Sequence, residues 1–219
     1  MSIIGISGKI GSGKDLSGKI INYLSTVEHP SFIEFRARYI YSSQLLGNPK
    51  YEYKKFADKI KDTLCLWLGC TREQLENRKY KEASLGPEWD DLTPRKILQL
   101  LGTECGRKII HPNIWVNSLF SDYKENSNWI ITDVRFPNEV EGIKNRGGKV
   151  FRIERSIALR SHYRSEEDLL VNGTVEDIHK YNHTSETSLD GYKHFDDVLT
   201  NSGSLEKLYN LWSYYFKQI

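Results

Sequence analysis

The sequence predicts an α/β fold built on a mainly parallel sheet, and three observations predict it. A short apolar run at the amino terminus is followed by a glycine-rich turn and then by apolar residues at helical spacing. Two further apolar runs, Trp129–Asp133 and Lys149–Glu154, flank a helix-like segment. Strand-like and helix-like stretches keep alternating to the end of the chain, the pattern of layered α/β proteins. The 219 residues suit a single domain, 1–219, with room for a substantial insertion.

Taken in order, Ser2–Ser7 carries Ile3, Ile4 and Ile6 and reads as a strand buried on both faces. Leu16, Ile20, Ile21 and Leu24 form the stripe of a first helix. Phe32–Phe35 reads as a second strand. Tyr53–Leu68 reads as a helix with Phe56, Ile60, Leu64, Trp67 and Leu68 on one face and Gly69 as its stop. Thr71-Arg72-Glu73-Gln74 has the spacing of a capping box. Lys79–Asp91, with Gly86-Pro87, reads as a polar loop. Thr93-Pro94 opens another helix, since proline suits the first helical position. Pro137–Arg146 reads as a helix closed by Gly147-Gly148. Asp197–Thr200 reads as a last strand, and Ser204 caps a helix carrying Leu205, Leu208, Leu211 and Trp212. Arg155–Asp190 is polar and weakly periodic and holds three histidines, His162, His179 and His183.

Composition excludes several classes. Hydrophobic residues at 38% and charged residues at 27% rule out collagen-like, low-complexity and wholly disordered chains. Basic residues number 31 against 29 acidic, a net charge of +2, which argues against a stable nucleic-acid partner. No apolar run approaches the roughly 20 residues of a membrane span, and Met1-Ser2-Ile3-Ile4-Gly5 lacks a secretory pattern. A cytoplasmic protein with no membrane partner is expected. The three cysteines, Cys65, Cys70 and Cys105, form no C-x-x-C pair and read as reduced, mostly buried thiols rather than a zinc site.

The chemistry concentrates in Gly8-Lys9-Ile10-Gly11-Ser12-Gly13-Lys14-Asp15, which matches the first seven positions of G-x-x-x-x-G-K-[ST]. Glycines let successive backbone N–H groups turn inward around an anion, and the following helix adds its positive end. Lys14 is placed to reach β- and γ-phosphates. At the eighth position Asp15 stands where a serine or threonine hydroxyl normally meets Mg2+. A carboxylate is also a hard oxygen ligand, but it brings negative charge close to the phosphates. A second carboxylate, Asp133, lies at the end of its strand, with Arg135 two residues on. Open α/β sheets bind ligands at that edge, so the pair suits Mg2+ and a phosphate. Spacing alone fits equally a turn-capping aspartate and its partner arginine.

These residues resemble the bacteriophage-type deoxynucleoside monophosphate kinases. The resemblance is carried by Ile6–Asp15, Phe56–Lys61, Leu98–Arg107, Ile131–Glu139 and His183-Thr184-Ser185-Glu186. In that family the loop lysine is typically followed by aspartate, whereas Lys59 stands here where proline is usual. The resemblance implies a P-loop kinase-like three-layer fold with helices on both faces of the sheet and a mobile lid segment, 155–190. It implies transfer of the ATP γ-phosphate to a dNMP with Mg2+, in the host cytoplasm. A homodimer is left open.

Under that reading Lys14, Asp15, Asp133 and Arg135 are the catalytic candidates, and Asp15 and Asp133 the metal ligands. Gly8, Lys9, Gly11, Ser12, Gly13, Lys14, Asp15, Arg155, Asn201 and Gly203 bind ATP. Lys61, Arg107, Arg135, Arg36, His183, Ser185 and Glu186 bind the acceptor; arginine suits this work because its fork pairs with phosphate oxygens. Arg152 and Arg160 read as surface charges that could also join. Trp115, Tyr39 and Tyr41 could stack on a base, and Trp129 reads as core. Two alternatives stay open: a small-metabolite kinase of the phosphomevalonate type, and a non-catalytic nucleotide-binding switch, the latter without any guanine-specific N-K-x-D signal.

Overall fold

The computed structural model describes residues 2–41, 49–156 and 184–217. Arg160, His183 and most of the 155–190 segment lie outside the described residues, as does the side chain of Tyr41. The chain forms two compact units, Met1–Tyr53 with Glu125–Ile219, and Lys54–Lys124. The second is inserted in sequence between the second and third strands.

A five-stranded sheet organises the first unit. Its strands are β1 (Ser2–Ser7), β2 (Glu52–Lys54), β3 (Asn128–Val134), β4 (Lys149–Glu154) and β5 (Asp197–Thr200). They lie in the order β2-β3-β1-β4-β5. β1 runs parallel to β3, with Ile4 beside Ile130, and parallel to β4, with Gly5 beside Val150. β4 in turn runs parallel to β5. Alternation along β1 sends its side chains to both faces. Ile4 and Ile6 join a core with Ile20, Ile21 and Leu24 of α1 (Lys14–Thr26), Phe35 of α2 (Phe32–Tyr41), and Leu208, Tyr209 and Trp212 of α10 (Leu205–Phe216). On the opposite face, Ile143 of α8 (Pro137–Lys144) comes so close to Gly5 that a Cβ there would lie 2.7 Å from the Ile143 methyl. Helices therefore cover both faces, which is why the central strands β1 and β3 can be largely apolar and buried. Trp212 and Trp129 are fully buried, and Trp212 meets the Phe151 ring edge-on at 5.3 Å.

The helical unit holds α3 (Ala57–Leu68), α4 (Arg72–Glu76), α5 (Arg78–Glu82), a single 3-10 turn at Pro87–Trp89, α6 (Pro94–Gln99) and α7 (Ile114–Phe120). Local signals set its boundaries. Gly69 at φ 62° ends α3, and the Cys70 N–H returns to the Cys65 carbonyl. Thr71 and Gln74 make the reciprocal capping box, and Thr93 caps α6 ahead of Pro94. α6 continues into a wide helix with i→i+5 bonding, Leu100–Ile110. There Gly106 is obligatory: a Cβ would lie 2.6 Å from the Leu101 carbonyl and 2.8 Å from the Trp115 ring. The cysteines are free and only partly buried, packed at the edges of two small cores. Among the described residues no helix is long and apolar enough to cross a membrane.

Three expectations need correction. Phe32–Phe35 is the start of α2, not a strand. Ser31 caps it through the Glu34 N–H; Phe32 and Phe35 recur at helical spacing against Tyr209, Phe35 also meets Tyr23, and Tyr39 stacks on Phe35 one turn on. The second strand is instead Glu52–Lys54, so the helix predicted from Tyr53 begins at Ala57. Within the Lys79–Asp91 loop a turn of helix forms, because the Asn77 side chain accepts from the Lys79 and Tyr80 N–H groups.

Candidate active site

β1 delivers the chain to the loop at Gly8, and α1 receives it at Lys14. Gly13 is the N-cap, in the left-handed region at φ 99°. It offers no side chain to the first-turn N–H groups, which have no acceptor inside the helix and so face outward for an anion. Gly13 is also sterically required, since a Cβ would lie 2.8 Å from Asn201 Nδ2. At Gly8 a Cβ would meet the Ile153 carbonyl at 2.5 Å.

Four elements hold this loop from outside. Asn201, buried just past β5, donates to the Ser12 carbonyl at 2.9 Å and accepts from the Gly203 N–H at 3.1 Å. Arg155, just past β4, donates to the Gly11 carbonyl at 3.3 Å and to the Gly203 carbonyl at 3.5 Å. Glu186 of α9 (Thr184–Thr187) accepts from the Ile10 N–H at 3.0 Å. Asp190 pairs with Lys9. The buried Ser12 hydroxyl has no partner among the described residues, which suits a loop that closes around a ligand rich in acceptor oxygens.

The charges meet at Lys14. Its ammonium donates to the Lys9 carbonyl at 2.8 Å. Burial pushes its pKa down to about 7, and Arg135 and Arg152 push the same way, while Asp15 and Asp133 oppose them. Both carboxylates thus lie close enough to act on this ammonium. Arg135 follows β3 directly. Its backbone N–H and that of Phe136 donate to the buried Glu139 carboxylate at 2.7 and 3.1 Å, which fixes the start of α8. Its guanidinium pairs with Glu186, whose side chain is only 3% exposed, and donates to the Ser185 carbonyl at 3.2 Å. Glu186 therefore ties the loop backbone to this arginine. Asp15 accepts from the Thr132 hydroxyl at 2.7 Å.

Beside the loop opens a cleft of about 300 Å³. Gly11, Gly13, Lys14 and Asp15 line one side, and Arg155, Asn201, Gly203, Leu205 and Leu208 another. Tyr39 and Lys19 complete it, with the Lys19 ammonium 5.1 Å from the Tyr39 ring centre. Small-molecule sites combine apolar walls with convergent polar groups, and this cleft has both, with more charge than most.

The fold thus gathers Gly8, Lys9, Gly11, Ser12, Gly13, Lys14, Asp15, Asp133, Arg135, Arg155, Ser185, Glu186, Asn201 and Gly203 at the carboxyl ends of parallel strands. Arg36 is exposed on α2, while Tyr39, one turn on, lines the cleft. Lys61 and Arg107 belong to the helical unit. There Lys61 pairs with Glu76 at 2.5 Å, and Arg107 donates to the Gly102 carbonyl at 2.6 Å, an oxygen it shares with the Trp115 N–H. Arg152 pairs with Glu154 and Asp190 rather than standing in solvent. Sequence reasoning missed Thr132 and Lys19; the one available signal was a hydroxyl beside Asp133 in a chain whose loop has aspartate, not serine or threonine, at its eighth position. Among the described residues no three His, Cys, Asp or Glu side chains cluster as a metal cage.

No protein-family model matches the chain. It is 26% identical over 245 residues to the deoxynucleoside-5'-monophosphate kinase of Escherichia phage T5, covering 89% of this chain and 96% of that protein. It is 27% identical over 223 residues to a protein of Acanthamoeba polyphaga mimivirus, assigned by inference as a deoxynucleotide monophosphate kinase, covering 96% and 93%. A solved structure of an uncharacterized protein from Eubacterium ventriosum ATCC 27560 aligns over 100% and 99% of the two chains, with 12% identity and a TM-score of 0.40, too loose a likeness to build on. The resemblance drawn from the motifs is borne out by both viral relatives.

Proposed function

We propose that this chain is an ATP-dependent deoxynucleoside monophosphate kinase, transferring the γ-phosphate of ATP to a dNMP to give a dNDP. The observation that carries this reading is the convergence of the glycine loop, Lys14 and Arg135 at one edge of the parallel sheet, in a chain similar along most of its length to two viral proteins of that name. Phosphoryl transfer asks the protein for positioning and for neutralisation of charge, and this edge supplies both.

In this reading the loop N–H groups and Lys14 hold the β- and γ-phosphates. Asn201, Gly203, Arg155 and the apolar side chains of Leu205 and Leu208 take the nucleoside end of ATP in the cleft. Arg135 neutralises the acceptor phosphate, with Glu186 and Ser185 setting its position. Lys61, Arg107, Arg36 and His183 are further acceptor-binding candidates on the strength of the resemblance alone. Asp15 and Asp133 are the groups to hold Mg2+. Two carboxylates suffice for an ion that keeps waters and takes substrate phosphates as its other ligands, and such an ion screens the phosphate charges against the incoming nucleophile. The lid 155–190, a single catalytic domain 1–219 and work in the host cytoplasm belong to the same proposal.

The test is a panel of all dNMPs and NMPs with ATP, read as ADP release and as the mass of the product. Formation of a dNDP, abolished in Lys14→Ala and with the dNMP KM raised about 100-fold in Arg135→Ala, is expected, since losing a bidentate charged contact costs about 3 kcal/mol. Turnover of phosphomevalonate without that of any dNMP, or nucleotide binding with no transfer, overturns the proposal.

A further inference from the structure

The loop departs from its motif at one atom. Where serine or threonine would offer a neutral hydroxyl beside the metal, Asp15 offers a charged carboxylate on an otherwise exposed side chain. An exposed carboxylate samples several rotamers and is drawn to nearby ammonium groups, and Asp15 acts electrostatically on Lys14. The structure instead holds it: the Thr132 hydroxyl donates to Asp15 Oδ1 at 2.7 Å. Thr132 is 2% exposed, on β3 next to Asp133. Its methyl packs against α1 where Gly18 leaves room, for a Cβ on Gly18 would lie 2.8 Å from Thr132 Cγ2. That packing and β-branching fix χ1, so the hydroxyl can point in one direction only.

We propose that Thr132 is a positioning residue for the metal-nucleotide site: it supplies from β3 a hydroxyl where the eighth position of the loop has none, and uses it to fix the orientation of the Asp15 carboxylate. The donor is neutral, so the carboxylate keeps its full charge for the metal while losing its freedom to fold onto Lys14. Ligand and orienting group thus come from two elements, α1 and β3, rather than from one loop residue. Partners that orient a metal-binding carboxylate typically contribute about 10–100-fold in metal affinity. The inference rests on the kinase reading only in requiring that the loop bind a metal nucleotide.

The experiment uses the full chain with ADP, comparing wild type, Thr132→Val, which keeps the volume and deletes the hydroxyl, and Thr132→Ser, which restores it. Calorimetry in EDTA gives metal-free ADP affinity, and electron paramagnetic resonance of Mn2+ gives metal affinity of the ADP-loaded protein. The expected result is metal-free ADP affinity within about twofold of wild type in all three, Mn2+ affinity about tenfold lower in Thr132→Val, and recovery in Thr132→Ser. Unchanged Mn2+ affinity in Thr132→Val, no recovery in Thr132→Ser, or a parallel fall in metal-free ADP affinity overturns it. A wild-type protein that binds no ADP at all overturns the kinase reading, and this proposal with it.

Discussion

Lys14 titrates near neutrality in the free protein, and a nucleotide must reverse that. Its ordinary pKa of 10.5 falls to about 7 because the ammonium is buried with Arg135 and Arg152 nearby and receives too little back from Asp15 and Asp133. A polyphosphate arriving beside it adds negative charge and returns the pKa toward or above its ordinary value. Binding must then draw a proton from solution wherever the free lysine is neutral and the bound one charged. At pH 8 a group of pKa 7 is about one-tenth protonated, so roughly 0.9 proton is taken up per ADP; at pH 6 the free group already holds its proton, and uptake falls to roughly 0.1. The assay is calorimetric titration with ADP in buffers of different ionisation enthalpy, where the slope of observed heat against that enthalpy counts protons. Lys14→Met supplies the baseline for the nucleotide's own titration. The same linkage makes the unliganded fold gain stability as pH rises from about 7 toward 10.5, because the unfolded lysine holds a proton that the folded one has lost; below pH 7 both hold it and the contribution is flat. No proton uptake at pH 8 in wild type, or equal uptake in Lys14→Met, refutes the reasoning.

Gly13→Ala places a Cβ at φ 99° and 2.8 Å from Asn201 Nδ2. A loss of about 2 kcal/mol or more in denaturant unfolding is expected, with ADP binding undetectable by calorimetry, because the Asn201 bond to the Ser12 carbonyl must break. Glu186→Ala removes the buried carboxylate shared by the Ile10 N–H and Arg135. A cost of about 2 kcal/mol is expected, below the 3–5 of a fully buried pair because the guanidinium stays partly in solvent; Glu186→Gln should recover the stability carried by the Ile10 bond but not the dNMP KM, and equal dNMP KM in all three proteins would count against the tie between loop and arginine.

Much of this site was legible in the chain itself, because its central part is local. The loop is eight consecutive residues between a buried strand and a helix, and glycine positions, the lysine and the cap need no distant partner to be recognised. The same holds for Thr71-x-x-Gln74, Thr93-Pro94 and Ser204, whose caps are made within three residues. Phe32–Phe35 failed because so short a run, three apolar residues around Glu34, fits either period; what settled it was Tyr209, far away in sequence, offering a surface for a helical stripe. Glu52–Lys54 is a strand because it borders β3 in the sheet, and its own sequence has nothing apolar enough to say so.

What the residues alone determined is therefore the glycine-rich turn between β1 and α1, the α/β alternation and the strand-end position of Asp133 and Arg135, all encoded within a few residues by backbone sterics and hydrophobic period. What only the tertiary structure decided is who holds whom: Thr132 on Asp15, Glu186 on both Ile10 and Arg135, Asn201 on Ser12. These contacts join residues 51 (186 − 135) to 189 positions apart. They exist because parallel pairing of β1, β3, β4 and β5 brings four carboxyl-terminal strand ends to one edge, a consequence of sheet order that no single segment carries.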